Sequence, residues 1–272
     1  MLRVGEISYL NCTPLFTSLR RNFPESDYKF VSGHPSELNA KLRSGEIDLC
    51  PSSSVEYAHN PELYRILPNL SISARGPVRS VLLFSKLPIA SLDGASIGLT
   101  SESETSVILL KILLSLKFSF ANSYSRVEAT DQTLSPQHDA LLLIGDRALI
   151  AASKESGGYI YDLGELWYEF TGRPFVFALW LLREDVFSKS AKEVHLLHER
   201  LVLSKRKAME NFAEIAATLK PNTWANSSFL IEYWSIISYD LTKDHIEGLE
   251  LFYRYAAECG FIESEPQLRI LK

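Results

Sequence analysis

The stretch LRVGEISYLNCTPLFTSLRRNFPESDYKFVSGHPSELNAKLRSGEIDLCPSSSVEYA (2–58) decides the fold. Short apolar runs in it alternate with segments of helical spacing, the pattern of an α/β sheet with crossover helices. LRVGEIS (2–8) reads as a strand, followed by a turn and a helix through NCTPLFTSLRR. YKFVSGH (28–34) is a second strand. Pro35 then opens a helix in PSELNAKLRSG, where Leu38 and Leu42 stand one turn apart and Gly45 supplies the stop. IDLCPSS (47–53) is a third strand, and the capping-box spacing of Ser53 and Glu56 predicts a short helix through Val55, Glu56 and Tyr57.

Outward from this stretch, RILPNLSISARGPVRSVLLFSK (65–86) reads as extended chain broken at Gly76-Pro77 that ends a first lobe. A second α/β unit follows. SIGLT (96–100) is a strand, Ser101 and Glu104 again have capping-box spacing, and TSVILLKILLSLK (105–117) is a strongly apolar helix. RVEAT (126–130) and ALLLIG (140–145) are strands, the latter suited to the middle of a buried parallel sheet. YIYDLGELWYEFTG (159–172) adds a strand and an aromatic helix, and FVFALWLLRED (175–185) is extended.

Beyond residue 186 three helices are predicted, at about 187–219, 226–238 and 242–258, the last capped by Thr242 and closed by Cys259-Gly260. The extended segments 78–86 and 175–183 bracket the middle unit. The expectation is an α/β protein of two lobes with two hinge crossings and C-terminal helices. Lobe I takes 1–85 and 177–272, lobe II takes 86–176, and a ligand cleft lies between them at the carboxyl ends of the strands.

Composition narrows the function. The 272 residues, 46% hydrophobic and 22% charged, describe a packed globule, and the net charge of -5 offers no basic field for a phosphate backbone. Nucleic acid is not an expected partner. Cys12, Cys50 and Cys259 are far apart and form no C-x-x-C pair, so neither a disulfide framework nor a zinc knuckle is suggested, and a reducing cytoplasm is the plain reading. Arg3 and Glu6 interrupt what would have to be the apolar stretch of an export signal, and the longest apolar run, Val176–Leu182, is too short to cross a bilayer.

The six histidines include no H-E-x-x-H, and His195 and His198 fall on an amphipathic surface helix, so no metal is expected. Dinucleotide, triphosphate and α/β-hydrolase signatures are absent as well.

Residues just past the strand ends are the candidates for ligand binding: Tyr9 to Cys12; Ser52, Ser53 and Ser54; Thr100 to Ser106; and Gly145 with Asp146. Hydroxyls and free N–H groups at helix starts suit a carboxylate or phosphate oxygen, although Ser and Thr at such places commonly serve only as caps. Two such clusters, one per lobe, form a cradle for a small anion. Cys12 is expected as a small buried side chain rather than a nucleophile, because no histidine can be placed beside it. Asp146 is either a general base or, more commonly, a loop support. Glu6 is either a buried carboxylate or a solvent-facing residue at a sheet edge.

The stretches ISYLNCTPL (7–15), HPSELNAKLRSGEIDLCPSSSVEYA (34–58), LPNLSISARGPVRSVLLFS (67–85), LIGDRAL (143–149), YDLGELWYEFTGRPFVFALW (161–180) and LTKDHIEGLELFYRYAAECGFI (241–262) resemble the MqnA family, the chorismate dehydratases of the futalosine route to menaquinone. The resemblance implies a fold like the type II periplasmic binding proteins. It also implies chorismate, a dianion, as substrate, with 3-[(1-carboxyvinyl)oxy]benzoate and water as products and no cofactor. Carried over by motif, Asn11 of SYLNC and Ser80 of VRSVLL stand at the reacting centre. The hydroxyls of Ser52–Ser54, Thr100, Thr105 and Ser106, with Asp146, then hold the substrate.

Aromatisation drives the elimination, so position and proton transfer are what the protein must supply. No His or Lys falls among the proposed site residues of these motifs, and the substrate's own enolpyruvyl carboxylate is the candidate acceptor of the C3 proton. The competing expectations are the sister 1,4-dihydroxy-6-naphthoate synthase and a non-catalytic small-anion-binding protein.

Overall fold

The computed structural model describes residues 1–23, 28–127, 137–154, 157–219 and 224–272. Contacts divide the chain into two units. The first comprises Met1–Ser73, Val176–Lys243 and Pro266–Lys272, and the second Ala74–Phe175 and Asp244–Glu265.

In the first unit, β1 (Leu2–Ile7), β2 (Tyr28–Gly33), β3 (Leu49–Ser53), β4 (Tyr64–Ala74) and β10 (Phe175–Arg183) form one sheet in the order β2-β1-β3-β10-β4. β1 runs parallel to both β2 and β3, and β10 is antiparallel to β3. Crossover helices α1 (Thr13–Asn22) and α2 (Pro35–Ser44) follow the first two strands. Gly45 closes α2 in the left-handed conformation, with φ 81°, where a glycine has no Cβ penalty. The short α3 (Ser54–His59) follows β3, and α7 (Glu184–Glu210), α8 (Phe212–Thr218) and α9 (Ser227–Ile236) complete the unit. The core packs Phe16 of α1 against Trp180 of β10, with ring centroids 5.6 Å apart.

The second sheet has the order β7-β6-β8-β5-β9, built from β5 (Val81–Ser85), β6 (Ser96–Thr100), β7 (Ser123–Val127), β8 (Ala140–Ile144) and β9 (Tyr159–Asp162). Helices α4 (Glu104–Ile112), α5 (Gly145–Ser153), α6 (Leu163–Thr171) and α10 (Lys243–Glu258) belong to this unit or, for α10, enter it from Asp244 onward. Phe175 meets Trp167 of α6 and Phe252 of α10 edge-to-face, at 5.3 and 4.9 Å between centroids.

Several sequence expectations change here. Residues 81–85 belong to the second sheet, not to the end of the first lobe, because β5 pairs with β8 on one side and β9 on the other. The chain therefore leaves the first unit after Ser73, twelve residues before the expected boundary at 85. It passes between the units four times rather than twice. Residues 244–265 join the second unit through the α10 aromatics, and the last residues return through a bridge between Ile66 and Ile270.

β8 is central as expected, but its sheet is mixed: it runs parallel to β6 and antiparallel to β5. The helix expected at 187–219 is two, α7 and α8, with a non-helical Ser190 inside the first. The helix expected at 105–117 ends as α4 at Ile112 and continues as one π turn over Leu113–Lys117. β7 covers 123–127, and the remainder of the expected strand, 128–130, lies outside the described residues.

Candidate functional site

In the first unit, two strand ends carry the candidates. The loop after β1 turns tightly: the N–H groups of Cys12 and Thr13 donate to the carbonyls of Tyr9 and Leu10 at 3.0 and 3.3 Å. Two residues more than two hundred positions downstream hold it. The Trp234 indole N–H donates to the Leu10 carbonyl at 2.8 Å, and the Tyr239 hydroxyl to the Asn11 carbonyl at 2.9 Å. Both side chains are buried, and burial pushes the Tyr239 phenol well above its ordinary pKa, so it remains a donor. With its main chain pinned, Asn11 presents a carboxamide whose buried Oδ1 accepts no hydrogen bond from the described residues. A buried acceptor left without a donor costs free energy, which makes it a natural point for a ligand donor. Cys12 beside it is buried, as expected.

Ser52, Ser53 and Ser54 lie at the carboxyl end of β3, and all three are buried. The Ser52 hydroxyl contacts Cys50 Sγ at 3.0 Å, and burial pushes that thiol up to about 12. Ser53 does not cap α3 with its side chain, against the capping-box expectation; its hydroxyl accepts from Asn39 Nδ2 at 3.2 Å. Glu56, the other half of that box, is instead a buried carboxylate bound by Arg43, Asn60 and Tyr64. The Asn39 Oδ1, like that of Asn11, is buried without a partner among the described residues. Glu6 takes a bidentate ion pair from Arg20, with contacts of 2.6 and 2.5 Å, and faces neither a core nor open solvent alone.

In the second unit, Ser80 stands at the start of β5 and is buried. Its carbonyl accepts from Gly145 N at 2.7 Å, which ties it to the first residue of α5, where Asp146 follows. Just upstream, Val78 and Arg79 donate their N–H groups to the carboxylate of Asp162 at 2.9 and 2.6 Å. Burial raises the Asp162 pKa, against the backbone donors, which favour the charged form.

Thr100 closes β6 and accepts from Glu102 N at 3.2 Å. The cap of α4 is Ser103 rather than the expected Ser101. Ser103 Oγ accepts from Ser106 N at 3.2 Å and lies 3.1 Å from Ser106 Oγ, and Thr105 and Ser106 are both buried in the first turn.

Asn11 and the β3 serines thus belong to the first unit, and Ser80, Thr100, Thr105, Ser106 and Asp146 to the second, where Ser80 is tied to Gly145, the residue before Asp146. Sequence reasoning missed Trp234, Tyr239 and Asp162, which shape the two loops. Only Asp162 left a local signal, as an Asp immediately before a helical pattern. Among the described residues no group of three or more His, Cys, Asp or Glu is arranged to hold a metal, and no helix is long and apolar enough to cross a membrane.

Comparison with known proteins adds to this geometry. The profile of the menaquinone-biosynthesis family matches residues 2–258. A chorismate dehydratase of Thermus thermophilus is 31% identical over 264 residues, covering 92% of this chain and 93% of that protein. A chorismate dehydratase of Campylobacter jejuni is 32% identical over 178 residues, 64% of each chain.

Among solved structures, protein AF1704 from Archaeoglobus fulgidus is similar with a TM-score of 0.71 at 19% identity, covering 96% of this chain and 98% of that one. The periplasmic aliphatic sulphonate binding protein SsuA from Escherichia coli follows at a TM-score of 0.63 and 16% identity, covering 98% and 90%. The fold is therefore α/β of the periplasmic-binding-protein kind.

Proposed function

The chain belongs to the menaquinone-biosynthesis family, and from that premise we propose that it is a chorismate dehydratase. The observation that carries this reading is the likeness to the Thermus thermophilus chorismate dehydratase along nearly the whole of both chains. The enzyme converts chorismate to 3-[(1-carboxyvinyl)oxy]benzoate and water. The ring C3–H bond breaks, its electron pair forms the C3–C4 double bond, and the C4 hydroxyl leaves as water. The balance is redox-neutral and calls for no cofactor.

Asn11 and Ser80 orient the substrate and assist the departing hydroxyl, and the unpartnered Oδ1 of Asn11 supports that role. The enolpyruvyl carboxylate of the substrate accepts the C3 proton and returns it to the departing C4 hydroxide, which leaves as water, since no His or Lys lies in the motifs that carry Asn11 and Ser80. Hydroxyl and N–H groups around Ser53, Ser54, Thr100, Thr105 and Ser106 bind the carboxylates, while Asp146, itself an acceptor, binds the substrate through a hydroxyl. Ser52 supports them from behind through Cys50. Local dipoles must supply this attraction, because a chain of net charge -5 repels a dianion at long range. Three cysteines, none of them in a disulfide, fit a cytoplasmic enzyme.

The test is to mix the protein with chorismate and follow the ultraviolet spectrum and the mass of the product. Loss of one water with gain of an aromatic chromophore supports the reading. Binding without conversion marks a non-catalytic anion-binding protein, and inertness removes the proposal. Asn11→Ala and Ser80→Ala, each still folded, abolish turnover; near-normal turnover in both removes the residue assignment.

A further inference from the structure

The turn GPVRS (76–80) that carries Ser80 is held by one carboxylate some eighty residues downstream. Asp162 ends β9 and caps α6, accepting from Gly164 N at 2.9 Å and Glu165 N at 3.3 Å through Oδ1. The same carboxylate takes the N–H groups of Val78 and Arg79 at 2.9 and 2.6 Å through Oδ2. Two successive backbone N–H groups converging on one oxygen form the concavity that main chain offers to an anion.

The conformation so fixed is a costly one. Arg79 has φ 60°, in the left-handed region that residues with a Cβ avoid, and it persists only where neighbours enforce it. Packing closes the arrangement from the other side: a Cβ on Gly164 would stand 2.6 Å from the Gly76 carbonyl oxygen, so only glycine lets α6 approach the turn this closely. Downstream, Gly145 N fixes the Ser80 carbonyl at 2.7 Å. Among the described residues the Ser80 hydroxyl itself makes a long contact, 3.4 Å to the Val78 carbonyl. Its position is therefore set by the main chain on either side of it.

We propose that Asp162 is a positioning residue for Ser80, its second carboxylate oxygen holding the Val78–Arg79 turn so that the serine hydroxyl is delivered at the geometry the elimination needs. The inference rests on the role of Ser80 given above.

Asp162→Asn and Asp162→Ser separate this role from simple helix capping. Asn and Ser are both good N-caps, so α6 keeps its cap in either variant. Neither keeps Oδ2, the oxygen that takes the Arg79 N–H and the shorter of the two Val78 contacts; the Asn variant retains only the 3.1 Å contact of Val78 N to Oδ1. Asn presents an NH2 group there, and Ser has no second oxygen. The expected result is a protein that still folds, its thermal midpoint lowered by a few degrees because backbone N–H groups lose an acceptor, with KM for chorismate little changed and kcat at a temperature where the variant is fully folded lowered about 10- to 100-fold, the scale on which small misplacements act. Native-like kcat in both variants overturns the inference, as does a loss that tracks the loss of folded protein.

Ser80→Ala is measured alongside. If it is impaired while the Asp162 variants are not, only the positioning inference fails. If Ser80→Ala turns over normally, the Ser80 reading fails, and any defect in the Asp162 variants then arises by another route, which also overturns the inference. Impairment of all three variants supports it.

Discussion

The hydroxyl of Tyr239 donates to the carbonyl of Asn11 at 2.9 Å, joining the residue proposed to act on chorismate to one 228 positions away. Removing that hydroxyl leaves a main-chain acceptor beneath the loop without its donor, at a cost of about 1–3 kcal/mol. Tyr239→Phe is therefore expected to lower the urea midpoint and to reduce kcat more than it raises KM. A variant with native midpoint and native kcat would show that the loop holds its shape without this bond.

Gly248 gives a prediction about the aromatic junction of the second unit. A Cβ at this position in α10 would lie 2.2 Å from the Pro174 carbonyl oxygen, a main-chain atom that cannot swing aside. Alanine improves intrinsic helix propensity by about 1 kcal/mol, but overpacking costs about 1–3 kcal/mol and dominates when backbone must move. Gly248→Ala should lower the thermal midpoint, and Phe252 should lose its packing on Phe175. A neutral or raised midpoint counts against the close approach.

Asp139 predicts a pH dependence. Its Oδ2 accepts from Ser96 N at 2.9 Å and Ser96 Oγ at 2.8 Å, and these bonds hold the carboxyl below its ordinary value of 3.8. A depressed folded pKa gives stability that is present above the unfolded pKa and lost as pH falls through the folded one. The window therefore lies below about pH 4. Because the group is close to water, the effect is about 0.5–1 kcal/mol. Asp139→Asn should be less stable than the parent at neutral pH, with the gap in denaturant midpoint shrinking as pH drops below about 4. A gap that stays constant down to acid pH removes the carboxylate explanation.

How much of this was legible in the sequence depends on distance along the chain. β1, β3, β6 and β8 were legible because apolar runs, turn residues and helix starts are local signals. The allocation of β5 was not. VLLFS is as apolar as a strand of either sheet, and only its pairing with β8 and β9 decides. α10 misled for a similar reason: its boundaries were readable, but its partner, Phe175, is fixed by side-chain packing across some 75 residues.

At the site, the motif residues Asn11 and Ser80 came from resemblance. The groups that shape their loops, Trp234, Tyr239 and Asp162, act through backbone hydrogen bonds that no spacing rule exposes.

Cys12 tests whether the thiol beside Asn11 takes part in the chemistry. It is buried at 2% exposure, and it begins α1 without a side-chain cap bond. A nucleophilic cysteine needs exposure and a group that favours the thiolate. The other buried thiol, Cys50, is pushed up to about 12 by burial and stays protonated at physiological pH. A covalent step through sulfur is also unnecessary for an elimination whose product is aromatic. Cys12→Ala should therefore keep kcat within about threefold and lose about 1 kcal/mol of stability from the vacated volume. Iodoacetamide added to the native protein should leave Cys12 and Cys50 unmodified. A thousandfold fall in kcat in a folded Cys12→Ala would make the thiol a participant and end the proposal that the substrate's own carboxylate takes the proton with only Asn11 and Ser80 assisting.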